Sequence, residues 1–94
     1  MRATIKKDED GFPVHRLHFR DLDGDKVLAE FRFDGIPYLE LDTDGYSYIE
    51  LTPFQLRHMA DWIERSWVEV EAWLESEEGQ AYYEVLHPED RFIP

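Results

Sequence analysis

The chain has 94 residues, enough for one small domain built around a single core. It contains no cysteine, which excludes disulfides and thiol chemistry, and its 22 acidic against 10 basic residues give a formal charge of −12. Such a charge disfavours direct binding to nucleic acid or to an anionic membrane and favours a basic protein partner. With no apolar signal segment and no run of ~18 apolar residues, the chain is predicted to be cytoplasmic.

The first half of the chain contains four Asp-Gly pairs between short apolar runs, at 10–11, 23–24, 34–35 and 44–45. Asp-Gly is typical of β-hairpin turns, because glycine adopts a positive φ without steric cost. The runs between these pairs alternate apolar and polar residues, which is the period of a strand with one buried face. Residues 1–51 are therefore predicted to form a five-stranded antiparallel meander whose fifth strand includes residues 48–51.

The register of the sheet follows if each turn is a three-residue loop that ends in glycine. This register places the apolar residues of all five strands on one face, and a slip of one residue would destroy that agreement. Proline cannot donate to a strand ladder, so Pro37 is an unusual member of the interior. The two interior rows are predicted to be Ala3, Leu17, Ala29, Leu39 and Ile49, then Ile5, His15, Phe31, Pro37 and Leu51.

The outward face of the same sheet has two interpretations. It is either a solvated face with cross-strand ion pairs or a tyrosine-rich contact surface, since tyrosine is enriched at protein interfaces. The predicted outward rows are Arg16, Glu30, Tyr38 and Glu50, beside His18, Leu28, Glu40 and Tyr48.

A helix start follows the meander. Thr52 is a capping residue, Pro53 stands at the first helical position, and Gln55 completes a capping box. Apolar residues then recur at helical spacing as far as Leu74. The sequence predicts a long helix over residues 52–78 across the apolar face of the sheet, then a short helix and an irregular tail over 79–94. The whole chain, residues 1–94, is predicted to be one α+β domain.

No motif in the sequence indicates a metal, a cofactor or a catalytic site. A calcium loop that started at Asp21 would need glycine and glutamate where the chain has Lys26 and Arg32. His15 and His18 are three apart on a predicted strand, so they leave opposite faces and cannot share a metal. The chain contains no GxGxxG, P-loop or GxSxG motif. We therefore predict no cofactor, no metal and no enzymatic activity.

The predicted long helix is strongly acidic, with seven carboxylates between residues 61 and 78 offset only by Arg65. Like charges at helical spacing cost roughly a few tenths of a kcal/mol per pair, so this face is either simply solvated or a recognition surface. Two tryptophans on one flank are either a wider core seam or anchors of an acidic interface. The predicted partner-binding residues are Asp61, Trp62, Glu64, Glu69, Glu71, Trp73, Glu75, Glu77 and Glu78 of the helix, with Asp21, Asp23 and Asp25 of a loop tip.

These features predict a small acidic module that occupies the basic surface of a nucleic-acid-binding partner, with carboxylates in place of phosphates. In size and charge the chain resembles phage-encoded nucleic-acid mimics, including some anti-CRISPR proteins, and nuclease immunity proteins. That resemblance implies an inhibitor. Two alternatives stay open: a structural or assembly protein that forms a homo-oligomer through an edge strand, and an enzyme with an unrecognised site.

Overall fold

The structure is a computed structural model that describes residues 1–44 and 48–86. Its four strands form one antiparallel sheet in the order β1-β2-β3-β4, and two helices follow. The predicted α+β class with an antiparallel sheet is confirmed, and the predicted irregular tail at 87–94 lies outside the described residues. The elements are β1 Arg2–Lys7, β2 Pro13–Arg20, β3 Lys26–Phe33, β4 Pro37–Thr43, α1 Pro53–Glu75 and α2 Glu77–Leu86.

The first two hairpins have the predicted register. Leu17 of β2 lies opposite Ala3 of β1 and Ala29 of β3. The two connecting loops contain Gly11 and Gly24, both with a φ of 88°. Glycine adopts this left-handed conformation without the steric cost that a Cβ atom would bring, so the Asp-Gly pairs specify these turns.

The third hairpin differs from the prediction by two residues. Phe31 lies opposite Leu39 rather than Pro37, and Pro37 lies opposite Phe33. The strand β3 extends to Phe33, and the loop consists of residues 34–36, so Pro37 begins β4, a position at which proline is tolerated. Because side chains alternate with a period of two, this shift leaves the same residues facing the core.

The predicted fifth strand is wrong for the part of it that the structure describes: residues 48–51 belong to no strand. Glu50 instead joins the β2–β3 loop, since its carbonyl accepts the N–H of Leu22 at 2.8 Å and its N–H donates to the Asp21 carboxylate at 3.3 Å. These bonds lead the chain across the end of the sheet towards α1. The turn predicted at residues 44–45 falls partly outside the described residues.

Helix α1 begins with the predicted capping box. The Thr52 hydroxyl accepts the N–H of Gln55 at 3.2 Å, and the Gln55 side chain accepts the N–H of Thr52 at 3.0 Å. The helix ends at Glu75 rather than at residue 78, because Ser76 is extended and its hydroxyl and N–H both donate to the carbonyl of Trp73. The prediction of a single helix over 52–78 is therefore corrected to two helices divided at Ser76.

Gly79, the first residue after the predicted long helix, lies inside α2. A Cβ atom on Gly79 would lie 2.0 Å from the carbonyl oxygen of Trp73 and 2.5 Å from the Cα of Leu74. Glycine is therefore required here for α2 to fold back closely against the end of α1.

The core lies between one face of the sheet and α1. Full burial of a large apolar side chain stabilises a fold by about 1.5–3 kcal/mol, so this layer accounts for much of the stability. Within the described parts of the chain, neither helix is long and apolar enough to span a bilayer. The sheet contributes Leu17, Phe19, Val27, Ala29 and Phe31 to the core, and α1 contributes Met59, Trp62 and Val70.

Candidate functional site

The solvent face of α1 carries four carboxylates, which we call the acidic ridge: Asp61, Glu64, Glu71 and Glu75. All four are exposed. At about 3.6 residues per turn they lie within about 80° of one another around the helix, and they extend about 21 Å along its axis. Val68, with 67% of its surface exposed, lies at the centre of the same face.

No ion pair or hydrogen bond joins the side chains of the acidic ridge to another group in the described residues. Two of its pairs, Asp61 with Glu64 and Glu71 with Glu75, have the spacing at which like charges destabilise a helix by roughly 0.2–0.5 kcal/mol. The last turn of α1 contains no basic residue. Since a helix C-terminus favours cations, Glu75 opposes the helix dipole as well. The ridge therefore costs stability at several positions.

Two other predicted helix carboxylates fasten the helices to the sheet. Glu69 meets His15 of β2, with 2.8 Å between its Oε2 and Nε2 of the imidazole. Glu78 lies 3.7 Å from the ammonium of Lys7 and accepts the indole N–H of Trp73 at 3.4 Å. These contacts engage Glu69 and Glu78 within the molecule, so we separate them from the acidic ridge. Among the predicted carboxylates, Glu77 is also exposed, in the first turn of α2 where the helix dipole favours it.

His15 is buried, and both of its ring nitrogens face acceptors. Nε2 meets the Glu69 carboxylate, and Nδ1 lies 3.1 Å from the carbonyl of Pro13. The groove beside this pair also includes Ser66, but the contacts of His15 leave no ring nitrogen free to activate that hydroxyl as a general base.

The two predicted tryptophan anchors have different environments. Trp62 is 3% exposed and belongs to the core, so it offers no surface to a partner. Trp73 is half-buried and packs edge-to-face on Phe12, with 5.5 Å between ring centroids, and on Tyr82 at 5.3 Å. Of the two interpretations of this pair, the structure fits the core seam, in which Trp73 joins α1 to α2 and to the β1–β2 loop.

The aspartates predicted at the loop tip also differ from one another. Asp21 is buried, and its two oxygens accept the N–H groups of Asp25 at 3.0 Å and Glu50 at 3.3 Å. This is turn chemistry, which satisfies buried backbone donors. Asp23 is exposed and Asp25 is half-buried. Asp21 therefore acts in the fold, and Asp23 is the exposed carboxylate of this loop.

The outward face of the sheet contains an ion-pair network. Both oxygens of Glu30 are engaged, one with Arg16 at 3.2 Å and the other with Arg32 at 3.3 Å, and Arg32 also approaches Glu40 at 3.8 Å. Oxygens of Glu30, Glu40 and Asp42 lie within 4.8 Å of one another, as they would in a cation site. Because a cation would have to displace two arginines from Glu30, the arrangement is an internally neutralised network.

The predicted outward row Arg16, Glu30, Tyr38 is corrected by the shifted third hairpin. Glu40, not Tyr38, lies opposite Glu30, and Tyr38 lies opposite Arg32. Tyr38 is 40% exposed. Of the two interpretations of this face, the contacts fit cross-strand ion pairs.

The acidic ridge thus groups four predicted carboxylates that are exposed and have no cation partner in the described chain, and Glu77 and Asp23 are exposed outside it. The sequence reasoning missed Val68 as a member of this face. Its position, four residues after Glu64 and three before Glu71, was the available signal, because those spacings place all three on one side of a helix.

The chain matches no protein-family model, no curated protein sequence and no solved structure.

Proposed function

We propose that this protein is an acidic binding module that docks the acidic ridge onto a basic surface of a protein partner. The observation that carries the proposal is the set of four exposed carboxylates without a cation partner among the described residues, held on one face of α1 at a cost in helix stability. A helix under selection for stability alone would intersperse lysines at these positions.

The ridge suits an encounter with a basic partner for two reasons. A net charge of −12 steers cationic surfaces towards the protein and raises the association rate. Once the partner is in contact, Val68 supplies an apolar point in the middle of the carboxylates, where water can be excluded. The charges then raise the association rate and orient the partner, and the apolar centre at Val68 lengthens the lifetime of the complex.

The partner that fits best is a cytoplasmic nucleic-acid-binding protein, which the module would inhibit by competition. The ridge extends about 21 Å, comparable with about six nucleotide steps of one DNA strand at about 3.4 Å each. Carboxylates spaced over that length can occupy part of a basic groove that otherwise receives phosphates.

The alternative of a homo-oligomer formed by pairing two β1 edge strands is disfavoured by charge. The edge strand β1 carries Arg2, Lys6 and Lys7, all exposed, so two copies of this edge would bring like charges together. Measurement of the mass in solution checks this reasoning, and a stable dimer at low salt would favour the assembly function instead.

The test compares two variants of equal net charge. The ridge variant carries Asp61→Asn, Glu64→Gln, Glu71→Gln and Glu75→Gln; the control carries Glu9→Gln, Asp10→Asn, Asp34→Asn and Glu84→Gln, four exposed carboxylates elsewhere. Each protein is immobilised and used to capture partners from the source cells. We expect a basic partner that the wild type and the control retain and the ridge variant loses.

The captured partner is then tested for binding at about 50 and about 200 mM salt, and for release from its nucleic acid. We expect affinity to fall with salt and the wild type to displace nucleic acid. Equal capture by the ridge variant, or equal loss in both variants, would show that the ridge has no specific role.

A further inference from the structure

A cleft at one end of the outward face of the sheet concentrates positive charge in this acidic protein. Its volume is about 630 Å³, within the range of small-ligand sites. It lies at the row in which Arg2, His18, Leu28 and Asp42 stand side by side on four strands, with Arg20 and Lys26 paired in the next row. This cleft is remote in sequence from the acidic ridge and belongs to a different layer of the fold.

The basic side chains of the cleft keep their charge available. Arg2 and Lys26 make no ion pair with any carboxylate in the described residues, and Arg20 donates only to the carbonyl of Gly24, at 2.7 Å. The neighbouring arginines of the sheet, Arg16 and Arg32, are neutralised by Glu30 instead. Arg2, Arg20 and Lys26, from three strands, therefore line this cleft without an ion pair among the described residues, and Asp42 and Asp44 line it as well.

His18, which lines the cleft, lies near two arginines. Its Nε2 lies 2.9 Å from the hydroxyl of Thr4. Burial lowers the pKa of His18 below its ordinary value, the charges of Arg2 and Arg16 lower it further, and Glu30 opposes them. Only the part of this lowering that comes from Arg2 and Arg16 reports positive charge near the ring, and that charge favours an anion.

The side of the cleft formed by β4 carries carboxylates instead of cations. Asp42 of β4 is exposed and forms no ion pair among the described residues, whereas Asp44 is held by the N–H of Lys26 at 3.1 Å. In the row across the strands, Leu28 lies between His18 and Asp42 and is half-buried. The cleft thus offers cations at one side, an apolar floor, and a carboxylate acceptor at the other side.

From this arrangement we propose that the cleft binds a small phosphate monoester that carries hydroxyl groups, such as a sugar phosphate. The phosphate oxygens accept from the guanidinium groups of Arg2 and Arg20 and the ammonium of Lys26, the three cationic donors that line the cleft. The ligand body lies over Leu28, and its hydroxyl groups donate to Asp42. Guanidinium and ammonium groups are the usual phosphate ligands of proteins, and a carboxylate accepts from hydroxyl groups.

The test follows the His18 ring by NMR at about pH 6.5, near the ordinary pKa of histidine, while inorganic phosphate or ribose 5-phosphate is added at constant ionic strength. A bound anion offsets the arginine charges and raises the pKa of His18, so we expect a saturable shift towards the protonated signal. Ribose 5-phosphate should bind more tightly than inorganic phosphate, and Asp42→Asn should remove that difference.

The controls are charge-matched within the sheet. We expect Arg2→Gln and Lys26→Gln each to weaken binding about tenfold, as loss of one charged hydrogen bond implies, and Lys6→Gln on the same strand as Arg2 to leave it unchanged. A linear shift without saturation, or equal weakening by Lys6→Gln, would show general ionic attraction and overturn the proposal. Because these variants leave the acidic ridge intact, the outcome is independent of the partner-binding test.

Discussion

The imidazole of His15 and the carboxylate of Glu69 meet at 2.8 Å, although 54 residues separate them in the chain. His15 lies on β2, in the middle of the sheet, and Glu69 lies in the second half of α1. The imidazole is buried, whereas the Glu69 side chain is 63% exposed. This contact fastens the helix to the sheet at its polar flank and engages one carboxylate oxygen of Glu69 within the molecule.

We expect Glu69→Ala to lower the free energy of unfolding by about 1–2 kcal/mol, because the buried Nε2 of His15 loses its acceptor. The exposure of Glu69 keeps the effect near the low end, since water screens the pair. The matched control is Glu64→Ala, which gains the same helix propensity but breaks no contact and should be neutral or slightly stabilising. Urea unfolding measures both; equal effects would mean that the pair contributes nothing to stability.

A cation at position 75 should stabilise the protein. Glu75→Lys places a positive charge in the last turn of α1 and creates a pair with Glu71 four residues before it, so we expect a gain of about 0.5–1 kcal/mol in thermal unfolding. Glu77→Lys is the control, and we expect it to lower the stability, because it places a cation in the first turn of α2. A loss of stability with Glu75→Lys would refute the reasoning that the ridge is costly.

We expect Gly79→Ala to destabilise the protein by more than about 2 kcal/mol, since the added Cβ atom would overlap the backbone of Trp73 and Leu74. Helix propensity alone predicts the reverse, a gain of about 1 kcal/mol. The control is Glu84→Ala, an exposed position in the same helix, which should be close to neutral. Thermal unfolding followed by tryptophan fluorescence separates the two expectations, and an unchanged midpoint for Gly79→Ala would show that α2 does not approach α1 so closely.

The stability of the protein should decrease on acidification in part through His18. Its pKa is lowered in the folded state, chiefly by burial and then by Arg2 and Arg16, so the unfolded chain binds the proton first. The contribution of His18 to stability is therefore complete above the ordinary pKa of about 6.5 and declines as the pH falls through that value towards the folded-state pKa. NMR titration of the His18 ring measures the folded-state pKa directly.

Arg2→Gln tests whether Arg2 contributes to the lowered pKa of His18. Removal of one nearby positive charge should raise the pKa of His18 towards its ordinary value, while Lys7→Gln at the other end of β1 should leave it unchanged. A pKa of His18 at or above 6.5 in the wild type would contradict the burial and charge assignment made here.

Much of the strand pairing could be predicted from local chemistry, and the errors in that prediction have physical causes. The Asp-Gly loops specified the pairing of Leu17 with Ala3 and with Ala29, because only a glycine-terminated loop kept the apolar faces aligned. The third hairpin could shift by two residues without changing any face, so alternation could not detect the error. Pro37 was the visible warning, since a strand start is where proline fits.

The remaining errors required long-range contacts. Residues 48–51 alternate as a strand would, but the backbone of Glu50 pairs with the loop at Asp21 and Leu22, which no local pattern reveals. The charge of α1 was plain from the sequence, yet the sequence could not show that Glu69 meets His15. The internal contacts of the predicted carboxylates could therefore not be derived from the sequence.

Positive and negative charges are distributed unevenly between the sheet and the helices. The strands carry seven of the ten basic residues, three on β1, two on β2 and two on β3, against three carboxylates, whereas α1 and α2 carry eight carboxylates and two arginines. The protein therefore has a permanent electric dipole moment across its thickness. In the field of a cationic body, it would turn its helical side forward before the two surfaces touch, so fewer collisions would be wasted in unproductive orientations.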